Sequence, residues 1–412
     1  MSKVGKPLLS FDKQTHYEIS TGTAINSISS GVSVNSEDVS IQNENELGIL
    51  KTSCVSAGSF IPAENKKVIA VDYQRVKKPV KAGTIIVSRM NTPLLVGEVG
   101  YVDKSIDNLF LPDRLWEIGV KPEYNARWLA NYLITPKIKF RLKELATGTS
   151  DSMKNISQPS FLSIQIFAPS YNEQQKIADF LTAVDCKISQ LTEKHRLLNE
   201  YKKGAMQQLF SQQLRFKDKD GNAFPEWKED RLDSFIKRVN DPVDVEQTTE
   251  YCQIGIRCHG KGIFHKDKVT GAEIGNKRVF WVHTKALVIN IVFAWERAIA
   301  VTSENEKGFI ASHRFPMYVP VEDKSDLDYL LYFFLSPRGE FLLNLASPGG
   351  AGRNKTLGQA EFSRLKVKLP SLAEQQKIAQ FLQALDNKIT AVAEQIEQTK
   401  QFKKGLLQQM FV

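Results

Sequence analysis

The sequence predicts an α+β chain. Two domains of mixed β/α structure are separated by two long helices that form an antiparallel coiled-coil pair, the whole being an internal pseudo-twofold duplication. Three observations predict this. First, "PSYNEQQKIADFLTAVDCKI" begins at Pro169 and "PSLAEQQKIAQFLQALDNKI" begins at Pro370, 201 residues later; the match runs without a gap over 42 positions, 21 of them identical. Such a period is far beyond the roughly 20–50 residues of a solenoid unit and marks a duplicated domain plus helix. Second, apolar residues recur in both repeats at alternating steps of four and three, a heptad seam. Third, each repeat is preceded by a long region of short strand-like runs broken by turns.

Taken in order, residues 1–168 form the first domain. "GTIIVSRMNTP" (Gly83–Pro93) is strand-like, and "ARWLANYLITPKIKFRLKELATG" is helical but interrupted at Pro136. Residues 169–212 are the central helical region. Its seam is Ile177, Leu181, Val184, Ile188 and Leu191, continued by His195 and Leu198. Good helix formers fill the outer faces, and acidic residues sit at the start, where the helix dipole favours them. Gly204 and Gly405 are expected to weaken or end the helices. From Asn172 to Tyr201 the first would extend about 45 Å at 1.5 Å per residue. Residues 213–369 are the second domain, reached through the charged linker "RFKDKDGNAFPEWKED" (Arg215–Asp230). It carries the strand-like "ALVINIVFAWERAIAVTS" and the helical "LDYLLYFFLSPRGEFLLNLASPG", broken at Pro337. Phe140/Phe341 and Phe161/Phe362 also lie 201 apart, so the duplication reaches into the domains. Residues 370–412 repeat the helix, with Ile378, Leu382, Leu385, Ile389 and Val392 in its seam. Each helix could pack only on its own domain. Seams of equal length and related composition favour pairing the helices with each other.

Composition is that of a globular protein, 42% hydrophobic and 25% charged. No apolar run is long enough to span a membrane, and the N-terminus lacks a signal-peptide core, so a soluble, cytoplasmic protein is expected. Net charge is +9, and the basic excess is spread over both halves without a basic tail, which suits a moderate nucleic-acid surface on each domain.

Catalytic signatures are missing. Cys54, Cys186, Cys252 and Cys258 make no CxxC pair, and Cys252, Cys258, His259 and His265 fit no common zinc spacing. "GGAGRNKT" (Gly349–Thr356) nearly spells a phosphate-binding loop, but Asn354 replaces a required glycine and the run follows a helix rather than a strand. There is no GxSxG elbow, HExxH or GxGxxG. The residues read as a non-enzymatic protein that binds something.

The order of variable domain, "EQQKIA" helix, "FPEW" linker, second variable domain and second matching helix resembles the specificity subunit of type I restriction–modification enzymes, the HsdS family. "SGVSVNSED" (Ser30–Asp38), "GILKTSCVSAGSF" (Gly48–Phe60) and "ENKKV" (Glu64–Val68) also resemble the start of one class of its recognition domains. The resemblance implies two target recognition domains, each reading one half of a split, asymmetric site in double-stranded DNA. It implies that the long helices hold them apart and dock two methyltransferase subunits. S-adenosylmethionine, ATP and Mg would then belong to partner methyltransferase and restriction/motor subunits, and this chain would hold no cofactor or metal. Two half-site readers should stand about one helical turn of DNA, roughly 34–36 Å, apart. The candidate DNA-binding residues are Lys77, Lys78, Lys81, Arg89 and Asn91 in the first half, and Arg257, His259, Lys261, Arg353 and Asn354 in the second. All combine loop placement with hydrogen-bond donors suited to phosphates or base edges. The rival readings are an assembly adaptor built on a coiled coil and a self-contained DNA-modifying enzyme.

Overall fold

The two heptad seams become helices of 40 and 39 residues, Tyr171–Phe210 and Leu372–Met410. At 1.5 Å per residue each extends about 60 Å, longer than the seam up to Tyr201 implied. Gly204 and Gly405 do not end them: both lie inside the helical span. A helix glycine costs only about 1 kcal/mol, and here apolar side chains buried on either side outweigh it. Leu209 is fully buried, and Leu406 and Met410 are 3% and 4% exposed.

The computed structural model describes residues 16–150, 152–349 and 355–411. The chain divides into two compact units, one built from residues up to Leu191 with those from Gln395 onward, the other from Thr192–Glu394. Each long helix thus begins in one unit and ends in the other. Neither helical region, 169–212 or 370–412, stands apart as a unit of its own.

In the first unit, a six-stranded sheet has Leu115–Val120 and Ile85–Ser88 at its centre, flanked by Ile25–Ser30 and Val99–Tyr101. A five-stranded sheet centres on Gly48–Leu50. One core joins Ile85, Val87 and Ile118 from the sheet with Trp128 and Leu129 from the helix Ala126–Leu133. To that core the first long helix adds Ile177, Leu181 and Val184, and the second adds Leu406, Met410 and Phe411.

The second unit has a smaller central sheet of four strands, ordered Ile236–Val239, Met317–Pro320, Leu287–Ile289, Ile299–Val301. Its core repeats the plan with the helices exchanged: Ile378, Leu382 and Leu385 come from the second long helix, Leu209 from the first. In both units a proline-started helix follows directly on another, Pro136–Leu145 after Ala126–Leu133 and Pro337–Leu345 after Leu327–Leu335. Proline is tolerated at N1 because that amide has no intrahelical acceptor.

The segment Arg215–Asp230 is no loose linker. Trp227 is 5% exposed within the second core, Phe216 packs edge-on against Phe381, and Lys228–Arg231 pairs antiparallel with Lys366–Leu369. In the first unit Tyr17–Ser20 pairs with Gln165–Ala168 in the same way. Each domain's first strand therefore lies beside the strand that leads into its long helix. Among the described residues, no helix is long and apolar enough to cross a membrane.

Candidate nucleic-acid interface and helix clamps

The repeated "EQQKIA" sits where helix, domain and strand meet, and its buried polar side chains explain the motif. Gln174 and Gln375 are fully buried. The Gln174 carbonyl accepts from the Asn125 amide at 2.9 Å while its side-chain NH2 donates to the Pro169 carbonyl at 2.9 Å. Gln375 accepts from the Asp326 amide and donates to the Pro370 carbonyl, both at 2.9 Å. Asn125 and Asp326 are themselves N-caps, accepting from Trp128 and Tyr329. One glutamine thus ties the start of each long helix to the start of a domain helix, Ala126–Leu133 in the first unit and Leu327–Leu335 in the second. Left unmade inside the protein, these bonds would each cost about 1–3 kcal/mol.

The neighbouring glutamates form a second clamp. Glu374, with no exposed surface, accepts from the Arg215 guanidinium at 3.1 and 2.9 Å and from the Trp227 indole at 3.2 Å. The hydrogen bond to Glu374 holds the Arg215 guanidinium even more firmly charged than usual. Glu173 meets His16 instead, at 3.5 Å.

Where the two long helices run side by side within a unit they are antiparallel. Lys403 bonds Asp185 at 2.7 Å in the first unit; Lys202 bonds Asp386 at 2.5 Å in the second. Both lysines continue the four-and-three spacing of the seams, so the pairing repeats 201 residues apart. Asp386 also accepts from the Tyr332 hydroxyl at 2.7 Å, and burial followed by that carboxylate raises this phenol far above its ordinary range. All twelve seam residues named from the sequence are shielded: Ile188, His195, Leu198 and Ile389 are half-buried, and the other eight are buried. Within each unit the seam's start is covered by the domain and the other helix together, so the two packing readings hold at once.

The candidate DNA contacts fare unevenly. Asn91 is only 8% exposed; its amide donates to the Ser88 hydroxyl at 3.1 Å and accepts from the Thr92 amide at 2.8 Å. Asn91 thus holds its own turn. Arg89 is likewise drawn inward, donating to the Asp113 carbonyl at 2.8 Å and the Asn155 side chain at 3.3 Å, with its guanidinium 6.0 Å from the Trp116 ring. Lys77 and Lys81 are exposed, and Lys78 is half-buried with φ 64°.

In the second unit the geometry is more open. Arg257, His259 and Lys261 are exposed on the loop joining Ile254–Ile256 to its antiparallel partner Ile263–His265. The loop backbone is anchored, because the His259 and Gly260 amides donate to the Glu296 and Arg297 carbonyls at 2.8 and 3.0 Å. Arg257 lies 4.8 Å over the Phe264 ring. That ring lies across Gly255, where a Cβ would come within 2.2 Å of it. With Lys266, Phe293 and Phe315 these side chains line one surface depression. It combines cationic donors with aromatic faces on a rigid hairpin, a combination suited to nucleic acid. Lys266 and Phe293 escaped the sequence reading: pairing across the hairpin places the first, and the packing of the hairpin loop on the segment up to Arg297 places the second. Arg353 and Asn354 lie outside the described residues; the ends of their loop meet in a bridge between Gly349 and Lys355.

Among the described residues no group of three or more His, Cys, Asp or Glu side chains is placed to hold a metal. Burial, and then the Glu296 carboxylate, pushes the Cys258 thiol up to about 11.

Comparison with known proteins matches this architecture. The family model "Type I restriction modification DNA specificity domain" fits residues 41–200 and again 264–401. The MjaVIII specificity subunit of Methanocaldococcus jannaschii is 23% identical over 298 residues, 65% of this chain and 65% of that protein. This chain therefore matches just under two thirds of that relative's length. The Escherichia coli EcoEI specificity subunit is 27% identical over 154 residues, 36% of this chain and 26% of that one. In three dimensions the S subunit of a type I system from M. genitalium aligns with TM-score 0.58 and 13% identity, covering 98% of both chains. A chain from a structure of the type I R-M system's complex assembly aligns with TM-score 0.50 and 13% identity, covering 96% of this chain and 97% of that one. One family model matched twice, once on each duplicated half, shows that the chain belongs to the type I restriction–modification DNA specificity family.

Proposed function

We propose that the chain reads a bipartite, asymmetric site in double-stranded DNA, one half through each unit, and that its long helices dock two methyltransferase subunits of a cytoplasmic type I complex. S-adenosylmethionine, ATP and Mg belong, in this reading, to the methyltransferase and restriction/motor partners. The observation that carries it is the doubling itself. Two differently built domains, with central sheets of six and four strands, are tied by the same glutamine clamp to equivalent helices. Divergent readers on repeated attachments suit two unlike half-sites served by two copies of one partner. In the second unit Arg257, His259 and Lys261 face the DNA; in the first, Lys77, Lys78 and Lys81 supply phosphate contacts.

A domain exchange tests this. Replacing residues 1–168 with another recognition domain is expected to change one half of the methylated sequence and leave the other intact, as read by genome-wide mapping of methylated adenines. A swap that rewrites both halves would mean that the domains form one composite reading surface.

At residue level, Lys261→Ala is expected to weaken DNA binding evenly across sequences and to lower the salt-dependence slope by about one. Arg257→Ala, if that side chain reads a base, should cost about 1–3 kcal/mol and relax specificity within one half-site only. Fluorescence anisotropy over a salt series, with thermal melts as folding controls, measures both. Unchanged affinity and slope in both variants would remove this hairpin from the interface.

A further inference from the structure

The strand Leu287–Ile289 ends on an asparagine that the fold buries without using all of it. Asn290 is 8% exposed. Its backbone is held on both sides, the amide donating to the Ala298 carbonyl at 2.9 Å and the carbonyl accepting from the Phe293 amide at 3.1 Å. The side-chain oxygen accepts from the Val292 amide at 3.1 Å. A backbone N–H must be met by an acceptor, so this bond fixes which end of the side-chain amide is oxygen and which is NH2. The Nδ2 end is left toward the depression that Asn290 lines with the hairpin loop. Among the described residues, none accepts from it. Side-chain donors placed this deeply nearly always have an acceptor, from the protein, water or a ligand.

The surroundings say what that acceptor is. Arg257, His259, Lys261 and Lys266 stand around the depression, and no Asp or Glu side chain lines it. Cationic donors with a fixed amide donor between them suit an anionic oxygen. With a volume of about 520 Å³ the depression holds more than one phosphate, and the exposed Phe293 ring in its wall offers an apolar face to an adjoining sugar. Shape then decides between phosphate and base. Base edges lie at the bottom of a groove about 8.5 Å deep, so an exposed hairpin loop can reach them. A buried side chain in a concave surface cannot enter that groove. What reaches Asn290 must stand out from the duplex, and the phosphate backbone does.

The stretch that presents Asn290 also carries the loop. The His259 and Gly260 amides bond the Glu296 and Arg297 carbonyls. His259 and Arg297 both hold positive φ, 59° and 57°, a region that residues with side chains rarely enter. Such a posture persists where the surrounding structure imposes it. Seat and loop are therefore one rigid piece, and a phosphate held at Asn290 fixes how the loop meets the neighbouring groove.

We infer that Asn290, with Lys261 and Lys266, seats one backbone phosphate of the DNA, and that this seat sets the register in which the loop 257–262 reads the second half-site. Asn290 is a positioning residue and reads no base. This deepens, and rests on, the reading of the second unit as recognising a DNA half-site.

The test uses the full chain assembled with the methyltransferase subunits of its own system, and a duplex carrying the motif that this assembly methylates. Asn290→Asp keeps the oxygen that accepts from Val292, so the melting temperature should hold, but it turns a carboxylate oxygen toward the phosphate. Affinity is expected to fall at least about tenfold, with the sequence of the methylated motif unchanged. Single neutral methylphosphonates stepped through the second half-site should weaken the parent most at one position. At that position Asn290→Asp should bind the neutral duplex at least as tightly as the natural one. Lys261→Ala and Lys266→Ala should each shrink the penalty there, which keeps the test decisive should Asn290→Asp melt early. Parent affinity in Asn290→Asp, a methylphosphonate scan in which no position couples to these three residues, or a changed base in the methylated motif would each overturn the phosphate seat and leave the half-site reading standing. An unaltered assembly that does not bind the duplex would overturn both.

Discussion

Arg215→Met is expected to destabilise the second unit by about 3–5 kcal/mol, because it strands Glu374 as a buried charge. Glu374 has no solvent contact, and two of its three hydrogen bonds come from this one guanidinium, leaving only the Trp227 indole. Paired, the carboxylate's desolvation is offset; with methionine it is not. Replacing both partners together, Arg215→Met with Glu374→Leu, should recover most of the loss, since a buried ion pair exchanged for apolar side chains of similar size is often near neutral. Urea unfolding of the single and double variants gives the comparison. A single variant within about 1 kcal/mol of the parent would show that water reaches Glu374 and that the segment after the first long helix is held by Trp227 and Phe216 alone. The loss should appear in the second unit's transition, because the corresponding Glu173 faces His16 rather than an arginine.

The second large effect is in the seams. Leu181→Ala and Leu382→Ala should each cost about 2–5 kcal/mol, the range for removing a fully buried leucine and leaving a cavity. Both side chains are 0% exposed, and each lies in a core shared by a domain and both helices. Leu382 and Leu209 belong to the same cluster, so their alanine substitutions should couple by about 0.5–3 kcal/mol, whereas Leu181 and Leu382, in separate cores, should add. On the proposed function, assembly with the methyltransferase should weaken as the helix pairing loosens. Losses below about 1 kcal/mol at both leucines would mean that the helices hold together elsewhere.

The helices were legible because a heptad seam declares itself locally: spacing alone named twelve residues that are all shielded. Their ends were not. A glycine reads as a stop, but Leu209 and Met410 beyond it find cores in the other unit's domain, information that no local window contains. The segment from Arg215 looked like a linker for the same reason; its charges are those of a clamp once Glu374 lies opposite. Donor type and loop placement correctly put Arg257, His259 and Lys261 on an exposed hairpin. The same criteria did not foresee that Arg89 and Asn91 are held by Asp113, Asn155 and Ser88, because whether a donor faces outward depends on what the chain places behind it.

By itself the sequence determined the duplication, the helical character and register of the two repeats, and the family. Each is written in residue spacing and identity, which need no partner to be read. The tertiary structure decided that each helix starts in one unit and finishes in the other, that "EQQKIA" is a buried clamp, and which cationic side chains remain free to meet DNA. Those outcomes depend on contacts that no local window contains, such as Lys202 with Asp386, Arg215 with Glu374 and Gln174 with Asn125. Burial and hydrogen-bond satisfaction, which belong to the assembled fold rather than to any stretch of chain, settle them.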